Sequence, residues 1–341
     1  MNRIPLSSAD RFLIRDRYAF LCDIRGNSRE IHILDLENPE KPRLVNALSF
    51  RNPIGCLSID GNVLLAGENG RALHRFDLDD PANPKPLDVY VLLGYDLHDI
   101  CGVSGKVLAA MKWEGIGMVD LDRPNEIQPI EKNKLDGGLF ERLTPFRDRF
   151  LTVSARSDNR FLYEISLSNG LMEIIDRKEF RNFKPTSVFS ANSEIVLYGE
   201  NESGDGEHPS VLFFDSAFQR LGEPVRLAHR PRICFPLSDG NILFGFDSSY
   251  ALWDRNGHKI TPLFRQFEDR ISKEYSEIPI GSSQRYGEDG DDSENRDCIP
   301  NEASDMEFRS ACKKGDFLFA THDSQFLSFR IAADSVFRKI V

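Results

Sequence analysis

From Asp10 onward the chain reads as short apolar runs broken by turn formers, and the runs come in sets of four. RFLIRD, RYAFLCD, EIHILDL and PRLVNALSF make the first set, each rich in β-branched or aromatic residues. IGCLSID, NVLLAGE, ALHRFDL and PLDVYVLL make the second, and HDICGVS, KVLAAMK, GIGMVDL and IQPIEKN the third. No stretch between them carries a helical periodicity, so the pattern predicts an all-β chain built from repeated groups of strands.

A short phrase punctuates each set. Leu34-Asp35-Leu36 before ENPEKP returns as Phe76-Asp77-Leu78 before DDPANP and as Val119-Asp120-Leu121 before DRP. Weaker echoes follow at Tyr163-Glu164-Ile165, Phe214-Asp215-Ser216, Trp253-Asp254-Arg255 and Phe329-Arg330-Ile331. The turn between the first two strands of each set falls at Asp16, Asp60, Ser104, Arg147, Asn192, Asp239 and Lys314, with steps of 44, 44, 43, 45, 47 and 75 residues. Five near-equal steps and one long one predict seven units of about 45 residues, with an insertion of about 30 before the last. Four-stranded sheets repeated radially hide their edges against one another, and seven would close a ring. The expected architecture is therefore a seven-bladed β-propeller with four-stranded antiparallel blades, one domain over 1–341, with 268–305 as an acidic, flexible insertion. The last set, SACKKG, DFLFATH, QFLSFRI and SVFRKIV, is complete in itself, so closure is expected without an exchanged strand.

The phrases DLENPEKP and DLDDPANP, each followed by a strand and then a short G-N-V or G-K-V turn, resemble the LVIVD-type β-propeller repeat over about residues 10–132. The plan is similar to that of WD40 propellers but lacks their repeated tryptophan-aspartate blade ending, of which Trp253-Asp254 is the one instance. The resemblance implies a seven-bladed propeller and no particular activity, since such propellers serve many unrelated roles.

Composition narrows the setting. No apolar run approaches the roughly 18 residues that span a bilayer, so a soluble chain without a membrane span is expected. The segment MNRIPLSSADRFLIRD lacks the apolar core of a secretory signal, which places the expected start of the mature protein at or near Met1. Cys22, Cys56, Cys101, Cys234, Cys298 and Cys312 form no C-x-x-C pair, and most sit among apolar strand residues, as in a reduced, cytoplasmic protein. The formal charge is 43 − 54 = −11, and −7 of it lies between Tyr286 and Asp305, where eight acids face Arg296 alone. A negative body repels phosphate, so no nucleic-acid partner is expected.

The candidate chemistry reads mostly as architecture. Asp35, Asp77, Asp120, Asp215 and Asp254 end third strands, where a carboxylate can accept backbone N–H groups of the following turn. His98 and Asp99 are adjacent on a strand and point to opposite faces, which opposes a shared ligand or proton relay. His32 and His74 occupy equivalent third-strand positions, and no H-x-x-x-H spacing for zinc occurs. Gly115-Ile116-Gly117-Met118 leads into a strand and not a helix, so it is read as a tight strand entry and not a phosphate cradle. EDGDDSENRD lacks the residue placement of an EF-hand and reads as a disordered acidic loop. No cofactor is expected.

Mapped onto propeller topology, Arg51, Arg142, Arg181, Lys184, Arg230 and Arg232 fall in connections from an outer strand to the next inner strand, with Lys112 and Arg156 at second-strand ends. These connections share one face of the disc, together with the long second-to-third-strand loops. Tyr95, Trp113, Phe140, Phe180 and Phe183 lie in or beside them. Arginines with exposed aromatics compose a protein-binding hot spot, whereas solvated loops with inward-tucked aromatics would compose an inert rim, and both readings stand. The expected function is a non-catalytic protein-protein interaction module, scaffold subunit or inhibitory partner, with Arg51, Tyr95, Lys112, Trp113, Arg142, Arg156, Phe183, Lys184, Arg230 and Arg232 as its contact residues. The alternative is a propeller hydrolase or lactonase holding a divalent metal at the channel mouth with acids such as Asp96, Glu68 and Glu200.

Overall fold

The computed structural model describes residues 11–262 and 308–339 apart from short stretches, among them 23–28, 131–134, 155–159 and 228–232. From residue 233 onward the description is of backbone strands, with side chains only at Asn241, Ile242 and Phe244. The insertion expected at 268–305 lies outside the described residues, as do residues 1–10.

The first sheet consists of β1 (Arg11–Arg15), β2 (Tyr18–Cys22), β3 (Glu30–Asp35) and β4 (Arg43–Ser49). The second is β5 (Ile54–Asp60), β6 (Val63–Glu68), β7 (Ala72–Asp77) and β8 (Lys85–Val91), and the third is β9 (Asp99–Val103), β10 (Lys106–Ala110), β11 (Ile116–Asp120) and β12 (Ile127–Pro129). The fourth holds β13 (Thr144–Phe146), β14 (Arg149–Val153), β15 (Phe161–Ser168) and β16 (Leu171–Glu179). The fifth holds β17 (Phe183–Ala191), β18 (Glu194–Ser203), β19 (Gly206–Phe214) and β20 (Val225–Arg226). Backbone pairing alone defines β21 (Ile233–Pro236), β22 (Ile242–Gly245), β23 (Tyr250–Asp254) and β24 (Lys259–Pro262), and likewise β25 (Phe308–Lys314), β26 (Phe317–His322), β27 (Gln325–Ile331) and β28 (Phe337–Lys339). Each sheet is antiparallel and uses strands consecutive in sequence, so no strand is exchanged between sheets among the described residues.

The turn joining the first two strands of a sheet spans two residues, as the pairings Arg15↔Tyr18, Asp60↔Val63, Val103↔Lys106 and Phe146↔Arg149 require. A two-residue hairpin matches the strand twist best with positive φ at its centre. Asp16 (51°), Gly61 (56°), Ser104 (50°), Gly105 (79°) and Arg147 (57°) supply it. These are the turns on which the sequence period was measured, displaced by one residue in the second unit.

Four of the punctuating aspartates act as the sequence predicts, while the side chain of Asp254 lies outside the described residues. Asp35 Oδ1 accepts the Glu37 N–H at 2.9 Å, Asp77 Oδ1 that of Asp79 at 3.0 Å, Asp120 Oδ1 that of Asp122 at 3.0 Å, and Asp215 Oδ1 that of Ala217 at 2.9 Å. A second contact recurs with them, from the residue that opens or just precedes the second strand. Arg17 lies 3.5 Å from Asp35, Asn62 donates to Asp77 at 2.9 Å, Lys106 to Asp120 at 2.9 Å and, in the fourth sheet, Arg149 to Glu164 at 2.6 Å. The carboxylate thus fixes the departure of the outer strand and the hairpin before it in one step.

Hydrophobic clusters fill the spaces between consecutive sheets. Phe20, Ile31 and Ile33 meet Ile54, Leu64 and Phe76 between the first two sheets, and Phe189, Val211 and Phe213 meet Ile242 and Phe244 between the fifth sheet and β22. Polar side chains stitch the inner strands one repeat apart: Ser58 Oγ accepts the Gly102 N–H at 3.0 Å, Asp99 Oδ2 the Leu143 N–H at 2.9 Å, and Thr144 Oγ1 donates to the Val188 carbonyl at 2.7 Å. Asp99 of the His98-Asp99 pair therefore serves inter-sheet architecture. In the fifth sheet β17 carries a bulge between Pro185 and Ser187, opposite Gly199, and a Cβ on Gly199 would run into the Lys184 carbonyl oxygen.

Two measurements check this account. Asp120→Ala should lower the unfolding free energy in urea by about 1–2 kcal/mol through loss of the Asp122 and Lys106 bonds, while Asp120→Asn, which keeps an acceptor for Asp122, should lose less. Gly199→Ala should cost about 1–3 kcal/mol because backbone must move to make room, and an unchanged urea midpoint would contradict the close approach at the bulge.

Candidate functional site

On one face, each second-to-third-strand turn is tied to the connection that leaves the outer strand. The Phe50 N–H donates to the Arg29 carbonyl at 2.7 Å, Leu92 to Arg71 at 2.6 Å and Phe180 to Arg160 at 2.9 Å. These bonds put the expected contact residues Arg51, Tyr95 and Lys184, together with the 111–115 turn, on one rim. Arg156, Arg230 and Arg232 lie outside the described residues.

The 111–115 turn is the most constrained part of that rim. The Met111 N–H donates to the Gly115 carbonyl at 2.8 Å, and Lys112 and Phe140 exchange two backbone bonds of 2.9 and 3.1 Å. Lys112 takes a positive φ of 49° and Gly115 one of 93° to close it. Phe140 is fully buried, edge-on to Tyr163 at 5.6 Å, and the Tyr163 hydroxyl donates to the Leu135 carbonyl at 3.2 Å. Trp113 at the tip of this braced turn is 56% exposed, the most exposed aromatic among the described residues. Lys112 beside it pairs with Asp96 at 3.0 Å, and Tyr95 packs half-buried against the cluster between the second and third sheets.

The sector between the fourth and fifth sheets is different in kind. Arg160 forks both guanidinium nitrogens onto Glu202 at 2.7 Å each, and Lys184 reaches Glu202 at 3.0 Å and Glu207 at 2.7 Å. The Arg160 and Lys184 hydrogen bonds hold the Glu202 carboxyl down to about 2. Lys184, expected as a contact residue, is thus engaged within the sheet. Phe183 corrects the same expectation: it is buried at 4% exposure with its ring edge-on to Phe180 at 6.0 Å, because its side chain completes the cluster between the fourth and fifth sheets. Arg51 and Arg142 are exposed.

The acids considered for a metal are occupied in other ways. Glu68 is buried and takes His74 at 2.9 Å and the Asn52 amide, tying the 50–53 connection to β6. Burial pushes its carboxyl up, but those two bonds and the charge of Arg71 outweigh it and leave it lowered. Asp96 serves Lys112, and Glu200 lies on β18 opposite Pro209. Among the described residues no three His, Cys, Asp or Glu side chains gather as metal ligands. Burial, with Asp99 and Asp60 nearby, pushes the Cys101 thiol up to about 12, so it is no nucleophile at neutral pH.

Sequence reasoning did not single out Arg29, Arg71 and Arg160, which stand just before or at the opening of third strands. The signal was present in RE-IHI, R-ALH and R-FLY, each an arginine immediately before the strand or one residue ahead of it.

Acid titration tests the ionic sector. Glu202 binds fewer protons folded than unfolded, so its contribution is fully present above its ordinary 4.5 and is lost as pH falls toward about 2. Melting temperature followed over that interval should fall less steeply for Glu202→Gln than for the native chain, and parallel slopes would show that the cluster adds nothing.

No family model matches the chain, and no curated protein matches it. Solved structures do. The chain is similar to Kuenenia stuttgartiensis hydrazine synthase at 11% identity and a TM-score of 0.65, covering 97% of this chain and 98% of that one. It is similar to YCF48 bound to D1 peptide at 11% identity and 0.58, covering 97% and 94%, and to the WD40 β-propeller domain of Doa1 at 9% and 0.56, covering 98% and 96%. At such identities the likeness bears on fold alone, and the fold, an all-β chain of four-stranded antiparallel sheets, is that of β-propellers.

Proposed function

We propose that the chain is a protein-interaction module whose loop-bearing face docks a protein partner, as scaffold subunit or inhibitory partner, with Trp113 as its aromatic anchor. The observation that carries this reading is the geometry of the 111–115 turn: a large aromatic side chain more than half exposed on a turn that Phe140 holds through two backbone bonds to Lys112. Burying a tryptophan yields a large contact area, and a rigid turn has little conformational entropy left to lose on binding. Lys112 and Asp96 beside it form the polar rim that such anchors require. Propeller neighbours include a structure with a bound peptide, YCF48 with D1 peptide, which accords with this use of the fold.

The same reading takes the architecture to be seven blades of LVIVD type in one ring, supported by the repeat count and by β1 lying beside β25. It takes 268–305 to be a flexible acidic insertion and the setting to be cytoplasmic, in keeping with the free thiols of Cys22, Cys56 and Cys101.

Affinity purification from the native cell tests the docking face. The native chain should retain a partner in stoichiometric amount, and Trp113→Ala, with an unchanged melting temperature, should weaken retention by about 2 kcal/mol or more, roughly thirtyfold in affinity. A partner held equally well by Trp113→Ala would remove Trp113 from the interface.

A further inference from the structure

The loop face is electrostatically divided, and the division names the chemistry of the partner; this deepens the docking reading above and rests on it. Arg29, Arg71 and Arg160 share one structural role, each offering its carbonyl to the first residue beyond the outer strand. Their guanidinium groups fare differently. Arg160 is saturated by the two Glu202 oxygens and by the Arg181 carbonyl at 2.9 Å. Arg29 and Arg71 are exposed, as is Arg51 beside Phe50, and among the described residues none of the three forms an ion pair within 4.0 Å. Two of the acids nearby are committed: Glu68 gives its oxygens to His74 and Asn52, and Asp96 binds Lys112.

The three arginines form a run with the anchor. Asn52, next to Arg51, reaches Glu68 at the end of β6; the Arg71 N–H donates to the Glu68 carbonyl at 3.2 Å; the Gly94 N–H donates to the Gly70 carbonyl at 3.4 Å; and Tyr95 and Asp96 lead to Lys112 and Trp113. We propose that this sector, Arg29, Arg51 and Arg71 leading to Trp113, takes an extended Glu- or Asp-rich segment of a protein partner. Guanidinium forks match carboxylates two bonds at a time, and among the described residues these three make no ion pair within 4.0 Å, Glu68 feeling the charge of Arg71 from farther off. A nucleic acid fits less well. Its phosphates would continue past the sector over Glu202, Glu207 and a chain of net charge −11, whereas a short acidic segment ends where the arginines end.

Fluorescence anisotropy of a fluorescein-labelled glutamate-rich peptide, titrated with the full chain, tests the proposal. The expected result is saturable binding that weakens as salt rises, falls about tenfold or more in Arg51→Glu and in Arg71→Glu, and is lost in the double variant. Arg177→Ala, on outer strand β16, should leave it unchanged. The melting curve of Arg51→Glu should match the native chain, since that side chain is exposed, and Arg71→Gln should also weaken binding without placing a carboxylate near Glu68. No binding, binding indifferent to both charge reversals, or equal displacement by a single-stranded oligonucleotide of the same charge would each overturn the proposal. The two readings fail separately: if Trp113→Ala loses the cellular partner while the double arginine reversal retains it, the docking face stands and its acidic specificity falls.

Discussion

The structure depends on the carboxylate that ends the third strand in each of the first three sheets, Asp35, Asp77 and Asp120. It accepts the N–H two residues on and, across the hairpin, meets the cation or amide at the second strand. Two chain reversals are therefore referred to one side chain in these sheets. Because hydrophobic clusters lie between sheets as well as within them, the departure of the outer strand also bears on how Phe20 meets Ile54. A single such bond is worth about 1 kcal/mol net, but the same geometry recurs in successive sheets, and sheets that share clusters cannot tilt independently.

Most of this was legible in the sequence because a repeat over-determines its own positions. The hairpin turns, the aspartate caps and the grouping of strands in fours each leave a mark that returns at a near-constant step, and residues in the turns adopt the positive φ that the step locates. The site was legible only in part. Alternation places Phe183 near a loop but not on a side of it, and only the packing against Phe180 shows that it faces inward. Lys184 was recognisable as a cation on the right face, yet its neutralisation by Glu202 and Glu207 arises from residues distant in sequence that a strand pairing brings together. Charge pairing across strands is a three-dimensional property, and no periodicity reports it.

The same fact explains why the arginines at third-strand openings escaped notice. In sequence Arg29, Arg71 and Arg160 look alike, and their backbone roles are alike. What separates them is whether β18 of the next sheet runs long enough to carry an acid over the rim. β18 spans Glu194–Ser203 and pairs with β19 as far as Ser203↔Gly206, which lifts Glu202 and Glu207 beside Arg160. β6, the corresponding strand of the second sheet, ends at Glu68, whose carboxylate turns to His74 and Asn52. The extended hairpin converts one arginine into an internal tie, and the short one leaves its counterpart to solvent.

An internal tie and an exposed charge have different uses. Arg160, Glu202, Lys184 and Glu207 spend their charges on each other, so a ligand approaching that sector would have to break bonds already made before forming new ones. Around Arg51 and Trp113 the backbone is already fixed by the Lys112–Phe140 bonds, and both side chains are exposed. Binding there costs desolvation of a few groups and little ordering, which is the condition under which a modest contact area yields useful affinity. The regular repeat supplies the rigid frame, and the places where it shortens or tightens are where surface chemistry is left over for a partner.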